Sequence, residues 1–404
     1  MPELDAVLYG AREVFVGPGA VREDAAVAVV DGRVAAVGPT DEITAEYPPE
    51  NAVVAVDARG KTLLPGFVDS HTHGLFAGDR SDEFAAKLRG KTYAEILAGG
   101  GGILRTVRAV REAPVERLLG NLLGHLDTML AHGTTTVEVK SGYGLDTATE
   151  LKMLDAIAAA DERHPVDVVA TFMGAHAVPE GMDADDYTAE VVDDQLPAVA
   201  DQGVAEFCDV FCEEGVFSVE QSRRVLEAGR EHGLTPKVHA EELTHLGGAR
   251  LAAEVGAASA DHLLHATRED AEEMAAAGVT PVFLPGTAFS LGAEYADPRP
   301  FIEAGATPAV ASDFNPNCYA ESMGFAVTLA CVGMRMPPAE AIAAATHGGA
   351  LALDRPNRGT LRVGAPADLL VVDAPSHVHV PYRFGTNTVE AVLKDGRVVH
   401  GGAR

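Results

Sequence analysis

Two histidines one residue apart, His71 and His73, close the apolar stretch Phe67-Val68-Asp69 that follows a Pro65-Gly66 turn. Side chains at i and i+2 of a strand share a face, so both imidazoles converge on one point. Histidine nitrogen is a leading ligand for zinc and iron. A His-x-His pair is also compatible with two ordinary strand-end residues, and the rest of the chain decides between these readings. His239 and Asp313 add two donors of the right kind. Three imidazoles and one carboxylate suit a Zn²⁺ or Fe²⁺ ion that keeps one position open for water. Water bound there has its pKa lowered toward about 7. Glu242, shortly after His239, is a candidate proton acceptor. His262 is a second candidate, able to orient the same water or polarise a carbonyl. Lys140 ends another strand. Carbamylation would let it bridge two metals, but a single open metal needs no bridge, and pairing with a nearby acid is the simpler reading.

The loops add substrate chemistry. Arg80 follows the histidine pair by seven residues, within reach of a substrate carboxylate for its bidentate fork. Tyr143 stands in Ser141-Gly142-Tyr143-Gly144, where glycines allow close backbone approach. The run Gly99–Gly102 reads either as backbone approaching a ligand or as a flexible lid. It follows no strand and precedes no lysine, which argues against a phosphate loop.

These residues must be positioned by regular elements. Residues 61–358 alternate β-rich and helical runs, with eight strand candidates: Leu63–Asp69, Thr134–Val139, Asp167–Phe172, Phe207–Phe211, Thr235–Val238, Ser259–His262, Thr280–Phe283 and Pro308–Ser312. Helical runs such as Val115–Ala131, Thr147–Ala160 and Val219–Glu231 fall between them. This is the pattern of a (β/α)₈ TIM barrel. The polar residues gather at the strand C-terminal ends, where barrel active sites lie: His71 and His73, Lys140, His176, Glu213 and Glu214, His239 with Glu242, His262, and Asp313. Residues 1–60 and 359–404 instead carry hairpin signals, Asp31-Gly32 and Asp395-Gly396 between short apolar strands. Both chain termini are thus expected to build one small β domain beside the barrel.

Composition bounds the function. Lys and Arg number 31 against 60 Asp and Glu, a net charge of −29, and only seven of the cations are lysine. Nucleic acid and anionic membranes need basic patches, so neither is an expected partner. A solvated acidic surface suits a high-salt, halophilic cytoplasm, where screening relieves self-repulsion. Cys208, Cys212, Cys318 and Cys331 lack metal-finger spacing and read as reduced thiols. No stretch approaches the roughly 20 apolar residues of a membrane span, and no targeting pattern opens the chain.

The stretches Pro65–His73 and His71-Thr72-His73-Gly74-Leu75-Phe76-Ala77-Gly78-Asp79-Arg80 carry a resemblance. With them go Gly99–Ile103, Glu138–Leu145, Phe172–His176, His239-Ala240-Glu241-Glu242 and Glu321-Ser322-Met323. Together they resemble the amidohydrolase superfamily and, within it, the imidazolonepropionase family of histidine degradation, over nearly the whole chain. The resemblance implies one zinc or iron ion per chain, a homodimer, and hydrolysis of 4-imidazolone-5-propanoate to N-formimidoyl-L-glutamate. It implies that His71, His73, His239 and Asp313 hold the metal. Arg80, Tyr143, His176 and Glu242 contact substrate, and His262 stands near the reacting carbonyl. Asn315, Asn317 and Cys318 take the places of product contacts, where many relatives have Gly and Ser or Thr at the last two. Another barrel hydrolase, such as a nucleobase deaminase or cyclic ureide hydrolase, would leave Arg80 unexplained. A non-catalytic scaffold would be marked by missing ligands, and none is missing.

Overall fold

The computed structural model describes residues 3–402 apart from 93–94 and 97–98. Its terminal sheet contains β1 (Leu4–Gly17), β2 (Ala20–Val30), β3 (Arg33–Pro39), β4 (Val54–Asp57) and β5 (Thr62–Pro65). The second sheet contains β6 (Phe67–Asp69), β7 (Thr134–Lys140), β8 (Asp167–Ala175), β9 (Phe207–Cys212), β10 (Thr235–Ala240), β11 (Ser259–His262), β12 (Thr280–Phe283) and β13 (Ala309–Val310). After it come β14 (Leu369–Val372), β15 (Val389–Lys394) and β16 (Arg397–Gly401), which rejoin the first sheet.

The terminal sheet runs β16-β15-β14-β5-β1-β2-β3, with β4 beside β1. Its two expected hairpins form where Asp and Gly both take positive φ, 49° and 71° at Asp31-Gly32 and 46° and 78° at Asp395-Gly396. Those values twist the turn with the strands, which is why Asp-Gly is favoured there. Val27, Val29, Leu63, Leu361, Leu369 and Leu393 are among the residues packed into this module's own core.

The barrel strands run in chain order from β6 to β13, all parallel. Closure between β13 and β6 uses irregular contacts. Asp313 N donates to His71 O at 3.1 Å and His73 N to Phe314 O at 2.8 Å. Ser312 donates through N and Oγ to the two Asp69 oxygens, at 3.0 and 2.5 Å. The closing seam therefore passes through the ligand segments themselves. Helices wrap the outside; Val219–Glu231 is typical, with a Ser218–Gln221 capping box and Val225 and Leu226 turned inward.

One expected element divides. Leu63–Asp69 reads as a single strand in sequence, but Thr62–Pro65 pairs with β1 and β14 while Phe67–Asp69 pairs with β7. Gly66 makes the transition. A Cβ there would meet Thr135 Oγ1 at 2.1 Å, so only glycine lets the chain pass β7 this closely. Leu63 packs in the terminal core and Leu64 in the barrel core, the period-2 alternation of one strand serving two modules. Among the described residues, no helix is long and apolar enough to cross a membrane.

Candidate active site

The strand ends bring His71, His73, His239, Asp313 and His262 into one buried cluster. Ring centroids lie 5.3 Å apart for His71–His73, 4.5 Å for His71–His239 and 5.2 Å for His239–His262. Asp313 and His262 hold φ of 50° and 82°, conformations that non-glycine residues keep only where surrounding structure enforces them. The Asp313 carboxylate is divided in role. Thr287 donates its hydroxyl to Oδ2, while Oδ1 is buried without a hydrogen-bond partner among the described residues.

Whether these residues suit a metal can be tested on their spacing. Asp313 Oδ1 lies 3.5 Å from His71 Nε2 and 3.7 Å from His73 Nε2, and the His73 and His239 Nε2 atoms are 3.3 Å apart. Ligands about 2.1 Å from a tetrahedral ion stand about 3.4 Å from one another. His71 Nε2, like Asp313 Oδ1, has no hydrogen-bond partner among the described residues. Buried acceptors facing each other without a donor are costly, and a cation at their centre removes that cost. The donor set fits a divalent ion. His262 also lies close, forming a second donor triad with His71 and His239.

Behind the ligands lies a layer of charge that sequence reasoning missed. His71 Nδ1 is 2.6 Å from Asp261 Oδ2, and His239 Nδ1 is 3.0 Å from Asp209 Oδ2. Carboxylates at both Nδ1 atoms turn both Nε2 lone pairs toward the ion site. Lys140 bridges Asp209 at 2.7 Å and Glu138 at 2.8 Å, and Lys237 meets Glu138 at 2.9 Å. All five charged residues are fully buried. Burial pulls the Lys140 ammonium down, but Asp209, Glu138 and Asp261 outweigh it and raise its pKa above the ordinary lysine range. A lysine held as an ammonium has no lone pair for carbamylation. The available signal was charge inside apolar strands, which demands partners; spacing alone does not say which.

Glu242 Oε2 stands 3.5 Å from His262 Nε2. Burial, then the charges of Asp313 and Glu213, push the Glu242 carboxyl up to about 8; an adjacent cation lowers it again. Burial first, and then His239, drive His262 well below the usual imidazole range. The loop carrying Glu242 is held on both sides. Glu213 accepts from Leu243 N at 2.8 Å and from the Thr244 hydroxyl. Glu241 accepts from the amides of Leu246, Gly247 and Ala249 at 2.7, 2.9 and 3.1 Å.

Tyr143 and His176 join the cluster from the neighbouring strand ends, with His176 stacked on His73 at 4.7 Å and Tyr143 5.3 Å from His176. Arg80, Asn317 and Cys318 lie apart from these rings, lining a cavity of about 1350 Å³ with Phe76, Lys87 and Tyr319. Glu83 accepts the Arg80 Nε–H at 2.9 Å. Asn315 organises the turn after Asp313: its Oδ1 accepts the amides of Asn317 and Cys318 at 2.8 and 3.0 Å. The Asn317 side chain accepts from Lys87 Nζ at 2.7 Å. Of the glycine run, Gly102 N donates to Glu83 Oε1 at 3.1 Å, and Gly99–Gly101 line a separate cleft.

The amidohydrolase family model matches residues 62–399, and an imidazolonepropionase-like bacterial composite-domain model matches residues 25–49. The imidazolonepropionase of Haloarcula marismortui is 70% identical, the match covering 99% of this chain and 97% of that protein. The one from Halobacterium salinarum strain R1 is 66% identical over 100% of this chain and 99% of its own length. In fold, the atrazine chlorohydrolase of Arthrobacter aurescens TC1, complexed with zinc, superposes with a TM-score of 0.75 at 20% identity, covering 99% of this chain and 96% of that one. An adenosine deaminase from Xanthomonas campestris with bound zinc gives 0.74 at 19% identity, covering 99% and 94%. A likeness running from one end of the chain to the other has one meaning: the chain belongs to the amidohydrolases and, among them, to the imidazolonepropionase family.

Proposed function

We propose that the chain hydrolyses the cyclic amide of 4-imidazolone-5-propanoate to N-formimidoyl-L-glutamate, a step of histidine degradation. The convergence of His71, His73, His239 and Asp313 beside Glu242 and His262 carries the reading. Those four residues would hold one zinc or iron ion per chain. When bound, the ion supplies a Lewis acid and makes a water molecule nucleophilic at neutral pH.

The chain's own groups do the rest. Glu242 takes the proton of the attacking water, its carboxylate kept ionised by the adjacent cation. His262 is neutral in its buried position and donates to the ring carbonyl as negative charge develops there. The proton that Glu242 takes passes by way of Asp313, whose carboxylate is steadied by Thr287, to the departing ring nitrogen as its bond to the carbonyl carbon breaks. Arg80 holds the propionate in the adjoining cavity, and that remote contact orients the ring. Tyr143 and His176 wall the ring on the opposite side. Burial, followed by the charge of His239, lowers His176 to about 3, so it binds as a neutral group and leaves the carboxylate to Arg80. Asn315, Asn317 and Cys318 form the wall that meets the product. Residues 61–358 act as the catalytic barrel, and residues 1–60 with 359–404 as the β domain. The protein works in the cytoplasm, as a homodimer, in high salt.

Purified protein given freshly made imidazolonepropanoate should form N-formimidoyl-L-glutamate, lose this activity to a chelator, and recover it with zinc or iron. Failure to open this ring, with turnover of a neutral ureide or nucleobase instead, overturns the assignment.

A further inference from the structure

The segment Ser141–Leu145 between β7 and the following helix carries Tyr143, and its backbone is held by two side chains from outside it. Glu150, in the first turn of the helix Thr147–Asp161, accepts from Gly142 N at 2.9 Å, Gly144 N at 2.7 Å and Leu145 N at 2.9 Å. Arg111 takes the carbonyls, donating to Gly144 O at 2.7 Å and Leu145 O at 3.0 Å. Glu150 is completely buried. A buried carboxylate is costly unless every bond is made, and here the three loop amides and the Ser141 side chain make them, with the helix N-terminus beside it. The loop folds so tightly that a Cβ on Gly144 would meet Glu150 N at 2.7 Å.

The held backbone reaches the ligand cluster. The Gly142 carbonyl lies 3.0 Å from His176 Nδ1, which fixes Nδ1 as the protonated nitrogen and leaves Nε2 as an acceptor. Gly142 has φ of 99°, and a Cβ there would meet Met173 O at 2.8 Å and His176 Nδ1 at 3.0 Å. The path from Glu150 through the loop amides to Gly142 O and the His176 ring is continuous, with Tyr143 in its middle.

We infer that Glu150 is a positioning residue for substrate recognition: it holds the Gly142–Leu145 backbone so that Tyr143 and the His176 ring, fixed as an Nδ1–H tautomer, face the substrate ring. This rests on the proposed role of Tyr143 and His176 as its wall. In that geometry His176 Nε2 accepts a ring N–H, selecting a cyclic amide that carries one.

Glu150→Gln places an NH₂ against one of the three amides. The expected result is a KM raised by roughly five- to twentyfold with kcat changed by less than about twofold. Metal content should be unaltered, and deuterium uptake should quicken in peptides covering 141–145. Gly142→Ala, pushing the same carbonyl from the loop side, should raise KM likewise, and it serves if Glu150→Gln folds poorly. Tyr143→Phe and His176→Phe separate the two layers. If they raise KM while Glu150→Gln and Gly142→Ala leave it unchanged, the positioning role is wrong and the substrate wall stands. If all four leave KM unchanged, the wall itself is wrong and the inference falls with it. A Glu150→Gln enzyme that only melts earlier, with normal KM and normal uptake at 141–145, reduces Glu150 to a structural residue and overturns the proposal.

Discussion

Asp261→Asn and Asp261→Ala should weaken metal binding in graded steps without touching a ligand. His71 Nδ1 and Asp261 Oδ2 are 2.6 Å apart and both side chains are fully buried, a setting in which a charge-assisted bond contributes about 1.5–3 kcal/mol. Asparagine keeps an acceptor at that position but not the charge. Charge-assisted bonds are about twice as strong as neutral ones, so roughly 1 kcal/mol is lost, about fivefold in metal affinity. Alanine leaves the His71 N–H without a partner and the ring free to turn, and about 10- to 100-fold is expected. A second effect must be read separately. Lys140 and Lys237 stand 4.0 and 3.9 Å from the same Asp261 oxygen, so both variants should also lower the Tm of the metal-free protein. The assay is competition for zinc between chelator-stripped protein and a chelating dye, at fixed pH and salt, alongside thermal melts without metal. Equal affinity in all three proteins, with only the Tm shifted, would refute the orienting role of Asp261 and make the buried charge layer purely structural.

Glu242→Gln should cut kcat by about 10²–10⁴-fold with metal content unchanged; near-normal kcat here, with loss in His262→Asn, would give base duty to His262. Arg80→Ala should raise KM roughly ten- to a hundredfold, the size of a charge-assisted contact, with kcat largely kept. In metal-free protein the Glu242 carboxyl sits near 8 against an ordinary value of 4.5. Folded protein therefore keeps a proton that the unfolded chain releases, and this group's contribution falls as pH rises from about 4.5 to about 8. Metal-free Glu242→Gln should accordingly lose less Tm across that window than metal-free wild type, and parallel profiles would contradict the buried carboxyl. With a net charge of −29, Tm should climb from 0.1 to 2 M KCl as the Debye length falls from about 10 Å at 0.1 M to about 3 Å at 1 M; a flat or falling curve would count against an acidic surface tuned to salt.

The convergence of His71 and His73 was legible because strand geometry puts them on one face, and that of His239 and Asp313 because barrel strands deliver polar ends to one rim. Helix limits such as Val115–Ala131 and Val219–Glu231 match the expected spans because each ends at an unambiguous change of pattern. Asp209, Asp261, Glu138 and Lys237 were not legible as a layer. Their pairing depends on which strands are neighbours, and a charged residue inside an apolar run does not name its counter-ion. Thr287 was missed because a hydroxyl that steadies one carboxylate oxygen has no spacing rule. The division of Leu63–Asp69 was hidden for a similar reason: the partner that captures Thr62–Pro65 lies about 300 residues later, in β14.

That late partner sets an order of events during synthesis. Leu64 pairs with Leu370, and Gly66 N donates to Asp368 O at 2.9 Å, five residues before His71. A nascent chain that has emerged through Asp313 carries all four candidate metal donors and has β1 beside β5, yet lacks β14, the neighbour on the other side of the lead-in to the first two. Until β14 is made, that lead-in is paired on one side only. A chain stalled or cleaved before Asp368 should be recognisable by metal it fails to retain, and protein quality control would meet it as an open barrel.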